Sequence, residues 1–166
     1  MPPVTSRLYD LAAATLTAVG THWPGDAEPL PDEQFVTNGL VIWEIDDCAE
    51  RLCTFVERTF GVEADVALEQ ITTLGAGFAN RGATVGVTLL RCVPDLDDNT
   101  VPTGVELDAS AQIILGDAQA LMNALIAAWK AGDLPGCGQL AFESWTAEGP
   151  QGGMGGGTLR MRMLVN

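Results

Sequence analysis

The chain has 166 residues, 47% of them hydrophobic, and its 22 acidic residues outnumber 8 basic ones, which gives a net charge of −14. This length fits a single domain, residues 1–166, that buries most of its apolar surface without the support of disulfide bonds or metal ions. So acidic a chain lacks the basic surface that binds nucleic acid through its phosphates, and it contains no run near the roughly 20 apolar residues that cross a bilayer.

The N-terminus lacks the basic and then apolar layout of a signal peptide. We therefore expect a soluble protein that is made in the cytoplasm and has no membrane partner. Because cytosolic redox couples keep thiols reduced, all four cysteines, Cys48, Cys53, Cys92 and Cys137, are expected to be free thiols.

The first 39 residues predict a helix followed by a long acidic connection. A helix from Thr5 to about Thr21 has apolar residues at helical spacing along one face, and Pro24 ends it. The connection Trp23–Gly39 is rich in proline and acids, and it is longer than most loops in compact domains. We expect it to be functional or to become ordered only in an assembly.

Strands are predicted in the middle of the chain. Leu40–Ile45 is a short strand, and Arg51–Val62 favours a strand by residue type although its apolar spacing also fits a helix loosely. A weak helical pattern, Val66–Thr73, follows. Ala83–Val93 is the clearest strand, and because both of its alternating faces are apolar it should lie centrally in a sheet.

A long helix should follow the acidic turn Asp95–Asn99. Thr103 and Glu106 have the spacing of a capping box after Pro102, and the helix continues to about Ala131 before Gly132. Its apolar stripe should face the sheet and consists of Ile113, Ile114, Leu121, Leu125, Ala128 and Trp129.

The C-terminus predicts a β-hairpin with a glycine-rich tip. One arm is Gln139–Glu148, and the other is Thr158–Val165, whose period of two places Arg160 and Arg162 on the face opposite its apolar residues. Between them lies a predicted nine-residue loop with six glycines, which is either tight and strained or mobile. An exposed Met154 at a flexible tip would suit an adaptable apolar contact.

These elements predict an α+β fold: an antiparallel sheet of about four strands, two helices packed on one face, and a long C-terminal β-hairpin.

No catalytic residue, metal site or cofactor is predicted. The only histidine, His22, stands beside Trp23 at a helix end, and no two cysteines have the two-residue spacing typical of zinc sites. Ser144 lacks a nearby base, and Gly75 and Gly77 precede a strand instead of following one, as a dinucleotide-binding turn would. Paired acids such as Asp46 and Asp47 could bind a hard cation, but solvated turn acids are far commoner.

Three parts of the chain resemble the small neck and tail proteins of long-tailed actinobacterial phages. The first is Thr54–Arg58 after the stretch Trp43–Cys53. The second is Leu90–Pro94, which leads through the acidic turn into Glu106–Gln112. The third is Gly149–Gly153, which leads through Gly156 and Gly157 into the last strand.

This resemblance implies a non-enzymatic virion protein at the head–tail junction, assembled in the host cytoplasm as a homo-oligomeric ring, expected to be a hexamer. A tail terminator that caps the tail tube and joins it to the head connector is the leading role. A head-to-tail connector, or head-closure, protein of the same junction is the alternative. A small-ligand-binding or enzymatic α+β domain is the competing class. The implied partners are the adjacent neck protein, the tail tube protein and DNA as a passing cargo.

Two sets of residues are candidates for these roles. A glycine-rich hairpin that stabilises itself poorly would find its partner on a neighbouring subunit. Its candidate interface residues are Gly149, Pro150, Gln151, Gly152, Gly153, Met154, Gly155, Gly156 and Gly157. Acids that line a DNA path would avoid binding the cargo. The candidate lumen residues are Asp26, Glu28, Asp32, Glu33, Asp46, Asp47, Asp95, Asp97 and Asp98.

Overall fold

A computed structural model describes residues 7–39, 49–62, 80–94, 101–151 and 153–165. In chain order the elements are α1 (Arg7–His22), β1 (Glu33–Val36), β2 (Arg51–Val62), β3 (Asn80–Cys92), α2 (Gly104–Ala131), β4 (Cys137–Gln151) and β5 (Met154–Val165). The described strands form one sheet in the order β1-β2-β3-β5-β4. The predicted α+β class is confirmed.

The sheet is mixed and has five described strands, where about four antiparallel ones were expected. The additional strand, β1, lies within the predicted connection Trp23–Gly39 and pairs in parallel with β2, with Glu33 opposite Arg51. It has only four residues and no alternating pattern, so sequence periodicity gives no sign of it. An ion pair of 2.7 Å between Arg51 Nε and Glu33 Oε2 helps to hold it. The predicted strand Leu40–Ile45 and the helical pattern Val66–Thr73 lie outside the described residues.

The core lies between the sheet and both helices. The central strand β3 contributes Val85, Val87 and Leu89, all fully buried, which confirms its predicted position. The same cluster contains Leu11 and Val19 from α1, Leu52 from β2, Leu121 and Leu125 from α2, and Leu159, Met161 and Met163 from β5. The hydroxyl of Thr54 donates to the carbonyl of Ala12 at 2.8 Å and so ties α1 to β2.

The opposite face of the sheet carries a network of arginine and glutamate. As the alternation in β5 predicted, Arg160 and Arg162 lie on this face, where they bind Glu57 and Glu143 at 2.9 and 3.0 Å. Arg58 from β2 donates to the same Glu143 oxygen at 3.2 Å. Glycines make room for aromatic rings here, since a Cβ on Gly86 would overlap the ring of Phe55.

Helix α2 has a buried half and an exposed half. Its capping box of Thr103 and Glu106 is present, and Gly132 ends it in the left-handed conformation with φ of 81°. Its buried residues all lie between Asp117 and Ala128. The predicted stripe is therefore wrong at its ends, because Ile113 and Trp129 are exposed. By length and hydropathy α2 could cross a membrane, but a helix that forms the core passes the same test.

The predicted glycine loop is shorter than expected. β4 extends to Gln151 and β5 begins at Met154, so only two residues lie between the strands. Gly153 has φ of 73°, and Gly152 lies outside the described residues. Gly155, Gly156 and Gly157 pair with Arg91, Leu90 and Leu89 of β3. Met154 is 3% exposed, so the expectation of an exposed tip methionine is wrong. Pairing on both sides orders the glycines despite their entropy.

One cysteine differs from expectation. Cys92 is disulfide-bonded, whereas Cys53 and Cys137 are free thiols and Cys48 lies outside the described residues. Four free thiols were expected because the N-terminus lacks the pattern of a signal peptide. That pattern contains no information about which cysteines the fold brings together.

Candidate functional site

A buried polar side chain, Arg91, lies next to the end of β3 and makes several hydrogen bonds. Its Nε and Nη2 donate to Asp117 Oδ2 and Oδ1 of α2 at 2.9 and 3.0 Å, a bidentate pair. Its Nη1 donates to the carbonyl of Pro29 at 2.7 Å and to Glu50 Oε2 at 3.1 Å. One guanidinium thus joins a strand, a helix and the acidic connection.

Both members of the ion pair of Arg91 and Asp117 are buried, since each residue is only 2% exposed. Burial disfavours the charge on Arg91, but hydrogen bonds and charge from Asp117, and then from Glu50, outweigh it and raise the pKa of the guanidinium. Arg91 therefore stays charged, and all three of its guanidinium nitrogens donate hydrogen bonds to oxygen atoms. Such a group positions the elements around it, and its charge is not available to an outside ligand.

A groove of about 530 Å³ opens above Arg91 at this end of the sheet. Its lining includes four acids, Glu28, Asp32, Glu33 and Glu50, together with Arg91 at its base. Because Arg91 and Arg51 are already paired with carboxylates, the groove presents mainly negative charge to solvent.

The structure thus brings together three of the predicted lumen acids, Glu28, Asp32 and Glu33. Asp26 is exposed and lines a separate groove of about 580 Å³ between the connection and α2. The other predicted lumen acids lie outside the described residues, and these are Asp46, Asp47, Asp95, Asp97 and Asp98.

The predicted interface residues of the hairpin divide into two groups. Gly149 is exposed, whereas Gly153, Met154, Gly155, Gly156 and Gly157 are buried within their own chain. The side chains of Pro150 and Gln151 lie outside the description. A contact of this hairpin with a neighbouring subunit stays a prediction, and the buried glycines also have a role in their own sheet.

The other polar residues considered from sequence do not converge. His22 Nε2 lies 2.7 Å from Asp133 Oδ2, so it links the ends of the two helices. Ser144 is exposed on the edge strand β4. Over the described ranges, no group of three histidine, cysteine or acidic residues is placed to hold a metal ion.

Sequence reasoning did not identify Arg91 and Asp117 as partners. The signal was present, because Asp117 is one turn before Leu121 on the apolar stripe of α2 and a buried acid needs a partner. Arg91 likewise interrupts an apolar strand. Pairing these two charges would have predicted how α2 lies on β3.

Comparison of the sequence with models of known protein families gives no match, and comparison with curated proteins gives none either. A function is therefore proposed below from the residues of this chain.

Proposed function

We propose that this chain is a non-enzymatic structural subunit of a homo-oligomeric ring, expected to be a hexamer, at the head–tail junction of a long-tailed phage. Its role would be that of the tail terminator, which caps the tail tube and joins it to the head connector. DNA would pass through the lumen without binding.

The observation that carries this proposal is the exposed apolar half of α2. Val105 is 80% exposed and Leu115 is 62% exposed, and no residue between Gly104 and Gly116 is buried. A helix with apolar residues on several faces is normally covered. In an assembly, a neighbouring subunit would cover such a segment, so its exposure in a single chain is expected of a ring subunit.

The charge distribution supports the passage of DNA. Every arginine whose side chain is described pairs with a carboxylate, and these are Arg51, Arg58, Arg91, Arg160 and Arg162. Binding to DNA depends on free cations that displace counterions from phosphates. The carboxylates around the Arg91 groove would repel the phosphates of a passing duplex.

Size-exclusion chromatography with light scattering tests the proposal, together with fluorescence anisotropy of a labelled duplex. We expect an assembly of several copies that leaves the anisotropy unchanged at low salt. A monomer that stays monomeric at high concentration and does not associate with tail tubes would contradict the proposal. Tight binding of the duplex would contradict the role of the acids.

A further inference from the structure

Two surfaces of the described structure are apolar, exposed and far apart. The first, named here the helix start, is the exposed segment 104–116 of α2. The second, named here the α1 groove, is a cleft of about 370 Å³ lined by α1, the end of β1 and β2. Its apolar lining residues are Leu8, Tyr9, Ala12, Val36 and Val56.

The helix start contains the most exposed large apolar side chains of α2. Val105 and Leu115 protrude into solvent, and Leu107 and Ile113 are also exposed. From Ala109 to Gly116 the segment has no charged residue, although the whole chain carries a net charge of −14. The part from Ala109 to Gly116 is therefore a surface through which two strongly acidic copies can approach each other with little repulsion.

The α1 groove has matching properties. Leu8 and Tyr9 are exposed on its rim at the start of α1. Its only charged lining residues are Glu57 and Arg58, which bind Arg160 and Glu143, so the lining carries no net charge within an acidic protein.

The helix start carries two acids, Glu106 and Asp108. In a contact between two copies these acids would face Arg58, whose side chain is 57% exposed although it also binds Glu143 of its own chain.

The two surfaces lie at different positions along the central strand, one beside the end of β3 and the other near its middle. Ile114 lies beside Gly155, which pairs with Arg91 next to the end of β3. The groove residue Val56 pairs with Val85. At about 3.3 Å per residue, the six residues from Val85 to Arg91 separate the two surfaces by roughly 20 Å. One chain therefore cannot place its helix start in its own groove.

We propose that the helix start of one copy docks in the α1 groove of the next copy. Such a contact joins two different surfaces and is head-to-tail, so it generates a closed ring when the rotation between copies closes. This inference rests on the proposed ring and names the surfaces that would build it.

The test uses matched substitutions that each add one negative charge. Leu115→Asp alters the helix start, Leu8→Asp alters the α1 groove, and Gln139→Asp is the control on the exposed start of β4. Val105→Asp and Thr59→Asp serve as second variants for the two surfaces if the first ones fail to fold, as judged by circular dichroism. The oligomeric state is measured by light scattering over a range of concentrations.

We expect Leu115→Asp and Leu8→Asp each to weaken association at least about tenfold, because a carboxylate enters an apolar contact, while Gln139→Asp assembles normally. Mixing the two deficient variants provides the sharpest readout. Leu115→Asp retains an intact α1 groove, and Leu8→Asp retains an intact helix start. The mixture should therefore form dimers with one copy of each variant, and these dimers should grow no further because their remaining surfaces are both altered.

Three results would overturn the inference while the proposed ring survives: normal assembly by both variants, loss of assembly in only one of them, or loss in both without recovery of mixed dimers. Loss in Leu115→Asp alone would indicate helix-to-helix pairing and would likewise overturn it. A wild-type chain that is monomeric at all concentrations would overturn both the inference and the proposed function.

Discussion

The indole of Trp145 on β4 lies against the backbone of Gly157 on β5, so closely that a Cβ on this glycine would overlap the ring. On the neighbouring strand β5, Trp145 pairs with Leu159, which lies two residues after Gly157. Trp145 and Leu159 both face the helices. The glycine run that looks like a loose loop in the sequence therefore forms part of the packed sheet.

This packing predicts that the glycines differ sharply in their tolerance of alanine. Gly157→Ala would push against Trp145, and Gly156→Ala would meet the backbone carbonyl of Leu89, which cannot rotate away. We expect each to lower the free energy of unfolding by about 1 to 3 kcal/mol. Gly149→Ala is the matched control, because a Cβ there meets nothing within 4 Å. Equal urea midpoints for all three variants would refute this view of the hairpin.

Replacing only one member of the buried pair of Arg91 and Asp117 should strongly lower the free energy of unfolding. Asp117→Asn leaves a buried guanidinium without its bidentate partner, so we expect a loss of about 3 to 5 kcal/mol in urea unfolding. Glu50→Gln, at the half-exposed edge of the same network, should cost less than about 1 kcal/mol. The double variant Arg91→Met with Asp117→Leu should recover most of the loss, and a larger loss in the double variant would contradict this account.

The two halves of α2 should respond differently to truncation. Leu121 is fully buried in the core, so Leu121→Ala should cost about 2 to 5 kcal/mol. Leu115→Ala removes a side chain that is mostly in solvent and should change stability by less than about 0.5 kcal/mol in the monomer. A loss below about 1 kcal/mol for Leu121→Ala would mean that α2 does not pack on the sheet as described.

Stability should fall as the pH rises above 9. Burial raises the pKa of both free thiols, Cys53 and Cys137, from 9.0 to about 11. Between these values the unfolded chain has released thiol protons that the folded chain retains, so the unfolded state gains stability with increasing pH. Melting temperatures measured from pH 8 to 10.5 should decline less steeply for Cys53→Ala than for the wild type. Parallel slopes would show that Cys53 contributes nothing to this dependence.

The exposed acids of the Arg91 groove should affect the binding of DNA and not the stability of the fold. Replacing Glu28 and Asp32 by lysine changes the charge of the Arg91 groove without breaking a described ion pair, so the melting temperature should stay nearly unchanged. The assembled variant should bind a labelled duplex, and this binding should weaken with salt. Asp10→Lys, on the exposed side of α1, is the control for added positive charge. If the groove variant binds no more DNA than the control does, these acids are only a solvated surface.

Much of the fold follows from local patterns. The capping box at Thr103, the alternation in β5 and the doubly apolar β3 each predict their element correctly, because each pattern reflects the residue's immediate surroundings. The strand β1 was not predictable in this way. Its four residues form a strand through pairing with β2 and through the ion pair of Glu33 with Arg51, and both depend on residues distant in the chain.

The candidate site was predictable only in part. The acidic connection was evident, but sequence could not show that Glu28, Asp32 and Glu33 gather around Arg91, since β3 and α2 supply the anchor. The glycine run was misjudged for a related reason. Glycine predicts a loop by its conformational freedom, whereas here the absence of a side chain at Gly157 makes room for Trp145.

Electron microscopy in negative stain of the purified wild-type chain would show directly whether it forms rings. We expect closed rings with a central opening, and class averages should show six repeats around it. Particles that remain single chains at every concentration used, or open filaments without closed rings, would contradict a ring subunit of the head–tail junction.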